Sequence, residues 1–531
     1  MPNDTQTNYP AQQQLIEALR NPACYPHTAK SVRMLETHIS WVLLAGRYAY
    51  KLKKAINLGF LDFTDLGARR FYCEEEIRLN RRLAPQLYLD VVAIGGSPQQ
   101  PLLGADPTIE YAVKMRRFAT SKLMGSLLAR GLVTTSHIDH LASTIARFHA
   151  SLPPAPPDSA FAMLAAIRNP AIQNFEQLQS LLNSADAKLL SQLRTASDSE
   201  YAACTPWLER RRQEGWIREC HGDLHLGNIV LIKDEPTPFD GIEFNAGFRW
   251  IDVMNEVAFL VMDLLDHNRA DLAFRFLNGY LELTGDYQGV TVLRFYLAYR
   301  AMVRAKVSAI RSRQSDTQPE EEKKAMAACR GYLTLAATCL AKRRPALIIT
   351  HGLPGCGKTT IAQAALERLQ AIRIRSDVER KRLFGLTPLQ ASGSQVGKGI
   401  YNTETTQQTY DRLHQLAREL LGAGFPVIVD AAFLKRGERA HFHALACELA
   451  VPFIILSVQA STSILRQRIL QRRAQAKDAS EVNLAVLESL IIAQEPLAPD
   501  ERAHSVALTN EGNLGDIISH AAWTRLERAL L

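Results

Sequence analysis

The rhythm of apolar and polar positions changes several times along this chain, and each change predicts a different element. Residues 1–34 are polar and then helical, a lead-in. From Trp41-Val42-Leu43-Leu44, through Ala45-Gly46-Arg47, to Tyr48-Ala49-Tyr50-Lys51-Leu52, the pattern reads as strand, tight turn, strand. A charge-rich helix over 67–83 follows, with Phe71, Ile77, Leu79 and Leu83 as its apolar positions, and it stops at Ala84-Pro85. Strands at 87–94 and 111–117, joined by a Gly/Pro-rich loop, complete the pattern of a small lobe: a sheet with one packed helix. Residues 121–215 read as mostly helical. Strands return at 228–232 and 239–244, and helices resume from 251 to about 342. The charged stretch 311–324 is an exposed connection ahead of a last helix over 320–341.

The rhythm changes again at Lys342-Arg343-Arg344-Pro345. Beyond it strands and helices alternate: strand 346–350, helix 358–370, strand 371–375, helices 378–384 and 404–423, strand 426–430, helix 436–449, strand 452–458, helix 461–473. Such alternation implies a parallel sheet covered on both faces. The pattern therefore predicts a lead-in over 1–34, one domain over 35–341, a linker at 342–345 and a second domain over 346–531.

Composition agrees with this division. At 531 residues the chain exceeds one ordinary core, and its length suits about two to four domains. Hydrophobic residues make up 47% and charged residues 22%, the balance of soluble globular protein. The net charge of +8 suits polyanionic ligands, but Arg-rich helices give the same balance, so no nucleic-acid partner is expected. Eight cysteines are scattered, with no C-x-x-C pair and no metal-ligand spacing, which fits reduced thiols in a cytoplasmic protein. The apolar run 257–265 is interrupted by Asp263 and falls well short of the ~20 residues of a membrane span, so no membrane partner is expected.

Two motifs carry the chemistry. The first is His221-Gly222-Asp223-Leu224-His225-Leu226-Gly227-Asn228, followed by Ile242-Glu243-Phe244. Asp223 and Asn228 have the spacing of a kinase-type catalytic loop. A carboxylate there can accept the proton of an acceptor hydroxyl while the Asn oxygen reaches a metal. A second metal ligand must be a hard oxygen from the next strand end. Glu243 is placed there, and Asp240 is the nearby alternative.

Residues ~35–341, on these motifs, resemble the aminoglycoside phosphotransferase-like kinase family. That family carries H-G-D-x-x-x-x-N, then I-D-F or I-D-W, then an acidic-apolar-Ala triplet about thirteen residues on. Glu256-Val257-Ala258 lies at that offset from Glu243, which favours Glu243 over Asp240; the departure is Glu where Asp is usual. The resemblance implies an α+β, two-lobe, protein-kinase-like fold. It implies a phosphate-pairing lysine at Lys51, with Lys53 as competitor, and a helix carboxylate among Glu74, Glu75 and Glu76, with Glu76 favoured.

The second motif is Gly352-Leu353-Pro354-Gly355-Cys356-Gly357-Lys358-Thr359, a P-loop between a predicted strand and a predicted helix. Backbone N–H groups along Gly355, Cys356, Gly357, Lys358, Thr359 and Thr360 would cradle phosphates at the helix N-terminus. Lys358 would reach the β/γ oxygens, and Thr359 would bind Mg²⁺. Asp377 ends the next strand, Asp430 ends another, and an arginine-laced helix carries Arg468 and Arg472. This half resembles the small P-loop kinases: gluconate kinase, polynucleotide kinase, chloramphenicol phosphotransferase and zeta toxin. The resemblance implies a three-layer α/β fold with a parallel sheet. It implies Asp377 on the acceptor, Arg468 or Arg472 as lid arginine, and Asp430 at the Walker-B-like position near Mg²⁺. Asp377 has an alternative reading as helix N-cap.

The expectation is a bifunctional ATP- and Mg²⁺-dependent phosphotransferase acting on small-molecule or nucleotide hydroxyls. Two alternatives stand beside it. One is an active P-loop kinase joined to a regulatory kinase-like ATP-binding domain. The other is a nucleotide-dependent binding or toxin-related module.

Overall fold

Strand β2 (Ser40–Ala45) alternates as its sequence demands: Trp41, Leu43 and Ala45 are buried, while Val42 and Leu44 are only partly so. A turn at Gly46 brings back β3 (Tyr48–Lys53). These strands lie inside a six-stranded sheet in a computed structural model that describes residues 8–59, 61–313, 318–341, 344–392, 399–475, 482–512 and 520–530. The other strands are β1 (Val32–Glu36), β4 (Tyr88–Ser97), β5 (Gln100–Leu103) and β6 (Thr108–Arg116). The order is β1-β2-β3-β6-β4-β5, and every pairing is antiparallel.

The helix Leu66–Asn80 starts where Asp65 accepts the Ala68 N–H. It buries Cys73 and Ile77 against Ala49, Tyr88 and Val113 of the sheet. The other side of the sheet is covered by the helix Asn8–Ala18, whose Leu15 and Ile16 join Trp41, Leu43 and Leu52. The lead-in is thus part of the small-lobe core. Its polar first residues hide this in the sequence, because only one narrow face is apolar.

Two short pairings frame the catalytic loop. Strand β7 (Ile217–Glu219) pairs with β10 (Trp250–Asp252), and β8 (Ile229–Ile232) pairs with β9 (Glu235–Pro238). Residues 239–244, expected as a strand, are irregular: Asp240 takes a left-handed backbone with φ +62°, which interrupts extension.

The chain divides into two compact units, residues 1–170 with 209–260, and residues 171–208 with 261–531. Of the expected linker 342–345, Lys342 and Arg343 lie outside the described residues. Within the second unit, helices Ala270–Thr284, Val290–Ser312 and Pro319–Leu340 accompany a five-stranded parallel sheet. Its strands are β11 (Leu347–His351), β12 (Ile372–Arg375), β13 (Val427–Asp430), β14 (Phe453–Gln459) and β15 (Ser505–Thr509), in the order β12-β13-β11-β14-β15. The first four match the predicted strands closely, whereas β15 carried no legible alternation.

The edge strand β12 meets the helix Ala270–Thr284 through one amide. Asn278 donates Nδ2–H to the Ala371 carbonyl at 2.9 Å and accepts the Arg373 N–H at 2.7 Å. Glu282, one helical turn on, accepts from Arg375 at 2.7 Å and Arg373 at 3.0 Å. Among the described residues no helix is long and apolar enough to cross a membrane.

Candidate functional sites

In the first unit, five charged side chains form a ladder. Lys51 and Lys53 alternate to the same side of β3. Glu76, wholly buried on the helix Leu66–Asn80, spans them: Oε1 lies 2.9 Å from Lys51 Nζ and Oε2 lies 2.8 Å from Lys53 Nζ. Lys51 continues to Asp240 Oδ1 at 2.6 Å, and Lys53 continues to Glu243. The predicted Lys51–Glu76 pair is therefore assembled, and Lys53 shares it. Burial works against charge on Glu76, but Lys51 and Lys53 hold its carboxyl below the ordinary range. On Glu243 burial prevails and pushes the carboxyl up, despite Lys53.

Glu243 and Asp240 are placed differently. The Glu243 side chain is 3% exposed and turned onto Lys53, while that of Asp240 is 42% exposed.

The catalytic loop folds around Asp223. Asn228 Nδ2 donates to Asp223 Oδ2 at 2.8 Å and to its carbonyl at 3.1 Å, which turns the amide nitrogen toward Asp223. His225 Nε2 lies 3.4 Å from the same carboxylate. His221 is structural: Nε2 bonds the Phe239 carbonyl at 2.9 Å, and burial lowers its affinity for a proton. Gly222 has φ +88°, and a Cβ there would sit 2.7 Å from the Phe248 carbonyl oxygen, so the loop needs glycine. Its N–H is held by buried Glu256 at 2.7 Å, and Glu256 in turn bonds His149 at 2.8 Å. Glu256 thus serves to brace the loop. His149 was missed by sequence reasoning, because nothing local on its helix marks a partner 107 residues away.

In the second unit the P-loop connects β11 to the helix Lys358–Leu369. Gly357 has φ +99°, and a Cβ there would lie 2.2 Å from Asn510 Nδ2. Asn510 also donates to the Cys356 carbonyl at 2.7 Å, and Arg468 donates to Asn510 Oδ1 at 2.9 Å. Arg468 is therefore tied to the outside of the loop. Arg472 shares its helix, Thr462–Gln475, but its side chain lies outside the described residues. Asn510 was not foreseen; a lone Asn after an unrecognised strand gives no signal.

Lys358 folds over the loop, donating to the carbonyls of Gly352 at 2.8 Å and Leu353 at 3.1 Å. Gly355, Gly357, Lys358, Thr359, Thr360, Asp377 and Asp430 line one cavity of about 560 Å³, whose far side includes Tyr401, Tyr410 and Val486. Asp377 sits in the first turn of the helix Ser376–Leu383, which starts without a side-chain cap, so Asp377 is not its N-cap. Asp430 is buried, and its Oδ2 has no hydrogen-bond partner among the described residues; Arg375 Nε is 3.8 Å away. A buried carboxylate oxygen without a hydrogen bond, in the cavity that Thr359 also lines, fits a hard cation such as Mg²⁺.

These two arrangements define the class: a kinase-like fold joined to a P-loop domain. Residues 347–497 match the AAA domain family model AAA_33. The chain belongs to the family of the uncharacterized protein Rv2004c of Mycobacterium tuberculosis (strain ATCC 25618 / H37Rv). The two are 30% identical over 459 residues, covering 85% of this chain and 88% of that one. The chain is also similar to two solved structures. One is a putative kinase from Chloroflexus aurantiacus, at 23% identity over 36% of this chain and 100% of that chain, with a TM-score of 0.29. The other is amicoumacin kinase hAmiN, at 13% identity over 64% and 96%, with a TM-score of 0.39.

Proposed function

We propose that this protein is an ATP-dependent phosphotransferase with two phosphate-handling sites, each moving the γ-phosphoryl group to a hydroxyl on a small molecule or nucleotide. The observation that carries the reading is the shared cavity of Lys358, Thr359, Asp377 and Asp430. It offers a cation for the phosphates, oxygen ligands for a metal and a carboxylate for the acceptor within one space.

At that site Asp377 accepts the acceptor proton as the acceptor oxygen bonds to the γ-phosphorus and the bond to the ADP oxygen breaks. Lys358 leaves the loop carbonyls for the β/γ oxygens. Thr359 and Asp430 would hold Mg²⁺, which supplies charge neutralisation when bound. At the first site Asp223 is the proton acceptor, and Lys51, fixed by Glu76, pairs the phosphates. Asn228 and a carboxylate of the Asp240–Glu243 turn would hold Mg²⁺. Catalysis is then positioning and charge neutralisation.

The burial of Glu243 favours a second reading, in which the first site binds ATP for regulation only. One experiment tests both: a metabolite-pool screen with γ-labelled ATP on the full chain, on Asp223→Ala and on Lys358→Ala. The bifunctional reading expects each variant to lose a different labelled product. If Asp223→Ala changes no product, the first site is not an active kinase.

A further inference from the structure

The ladder Asp240–Lys51–Glu76–Lys53–Glu243 runs from the surface to the core. Side-chain exposure falls from 42% at Asp240 and 12% at Lys51 to 0% at Glu76 and Lys53 and 3% at Glu243. Three carboxylates face two ammonium groups. The buried members balance in pairs, Lys53 with Glu243 and Lys51 with Glu76. The surplus negative charge therefore stands at the open end, on Asp240.

The backbone fixes this orientation. Asp240 donates its N–H to the Tyr88 hydroxyl at 3.0 Å, and Gly241 donates to Asn80 Oδ1 at 2.8 Å. Ile242 donates to the His221 carbonyl at 3.0 Å, and the Glu243 carbonyl accepts from Arg249 at 3.1 Å. Between these anchors the left-handed residue, Asp240, turns outward while Glu243 turns inward.

We propose that Asp240, not Glu243, is the carboxylate that holds the metal with Asn228 at the first site, and that Glu243 is a positioning residue, the buried counter-ion of Lys53. The proposal rests on the reading of this site as a nucleotide site. By neutralising Lys53, Glu243 leaves Glu76 to hold Lys51 toward the phosphates. A buried ion pair can be replaced by apolar residues of similar volume with little loss, whereas removing one member leaves an uncompensated charge. A metal ligand has no such substitute.

The test uses the full chain carrying Lys358→Ala, which silences the P-loop, with mant-ATP as probe across a Mg²⁺ titration. Asp240→Asn is expected to lose at least ~10-fold of the Mg²⁺-dependent tightening while its melting temperature stays unchanged. The double variant Lys53→Met/Glu243→Leu is expected to keep that tightening within about threefold. Tightening that survives Asp240→Asn overturns the proposal, and this variant sits at an exposed position where folding is not at stake. Loss of tightening in a folded double variant overturns it equally. Absence of mant-ATP binding in the Lys358→Ala parent, by contrast, overturns the nucleotide reading of the site itself.

Discussion

The two sites hold their charged groups in place by different means. In the first, cations and carboxylates satisfy one another through a ladder of side chains from β3, one helix and the 239–244 turn. In the second, the lysine rests on backbone carbonyls and the cradle is a glycine-shaped loop. The difference teaches where each site is vulnerable. A ladder fails when one of its buried charges is removed, because its neighbours are then buried without a partner. A backbone cradle fails when a side chain is added or the lysine resting on it is lost.

The largest expected effect is on catalysis. Lys358→Ala and Asp223→Ala should each lower turnover of their own product by roughly 10²–10⁴-fold, measured by product-resolved transfer of γ-labelled phosphate. If both variants abolish the same product, the sites do not act independently and the comparison breaks. Next in size is the ladder. Glu76→Gln should destabilise the first unit by about 3–5 kcal/mol, read from denaturant unfolding, because it strands Lys51 and Lys53. Lys51→Met and Lys53→Met sharpen the point. The first should weaken ATP binding with a modest change in melting temperature, and the second should lower the melting temperature more, since Lys53 is fully buried and Lys51 is not.

The smallest effect concerns Glu282. Burial raises its carboxyl, but Arg375 and Arg373 outweigh this and hold it below the usual 4.5. A depressed folded value gives stability that is present above pH 4.5 and lost as pH falls below it. Unfolding midpoints at pH 6 and pH 4 should therefore diverge more in the wild type than in Glu282→Gln. At pH 6 the substitution should cost about 1–2 kcal/mol.

The second unit was the more legible in sequence. Glycines at 352, 355 and 357 announce the turn, and short apolar runs announce the parallel strands, because both signals are local. In the first unit the loop from His221 to Asn228 was equally plain, but the partners that make it work were not. The run 239–244 looks extended because Phe239, Ile242 and Phe244 are apolar, yet its backbone reverses hand at Asp240. Which carboxylate turns inward depends on Tyr88, Asn80 and Arg249, all supplied from elsewhere in the chain. Lys51 and Lys53 looked alike in sequence, and in the structure both touch Glu76. Strands β1 and β5 escaped notice because each is short and only partly buried.

The amide of Asn278 reaches further than its two hydrogen bonds suggest. Strand β12 ends the five-stranded sheet, and a bare sheet edge is a template on which a second chain can add its own backbone. Asn278 imitates that missing neighbour, offering one donor and one acceptor where the next strand would place them. A single side chain thus occupies the Ala371 carbonyl and the Arg373 N–H, the two edge groups to which a further strand would bond.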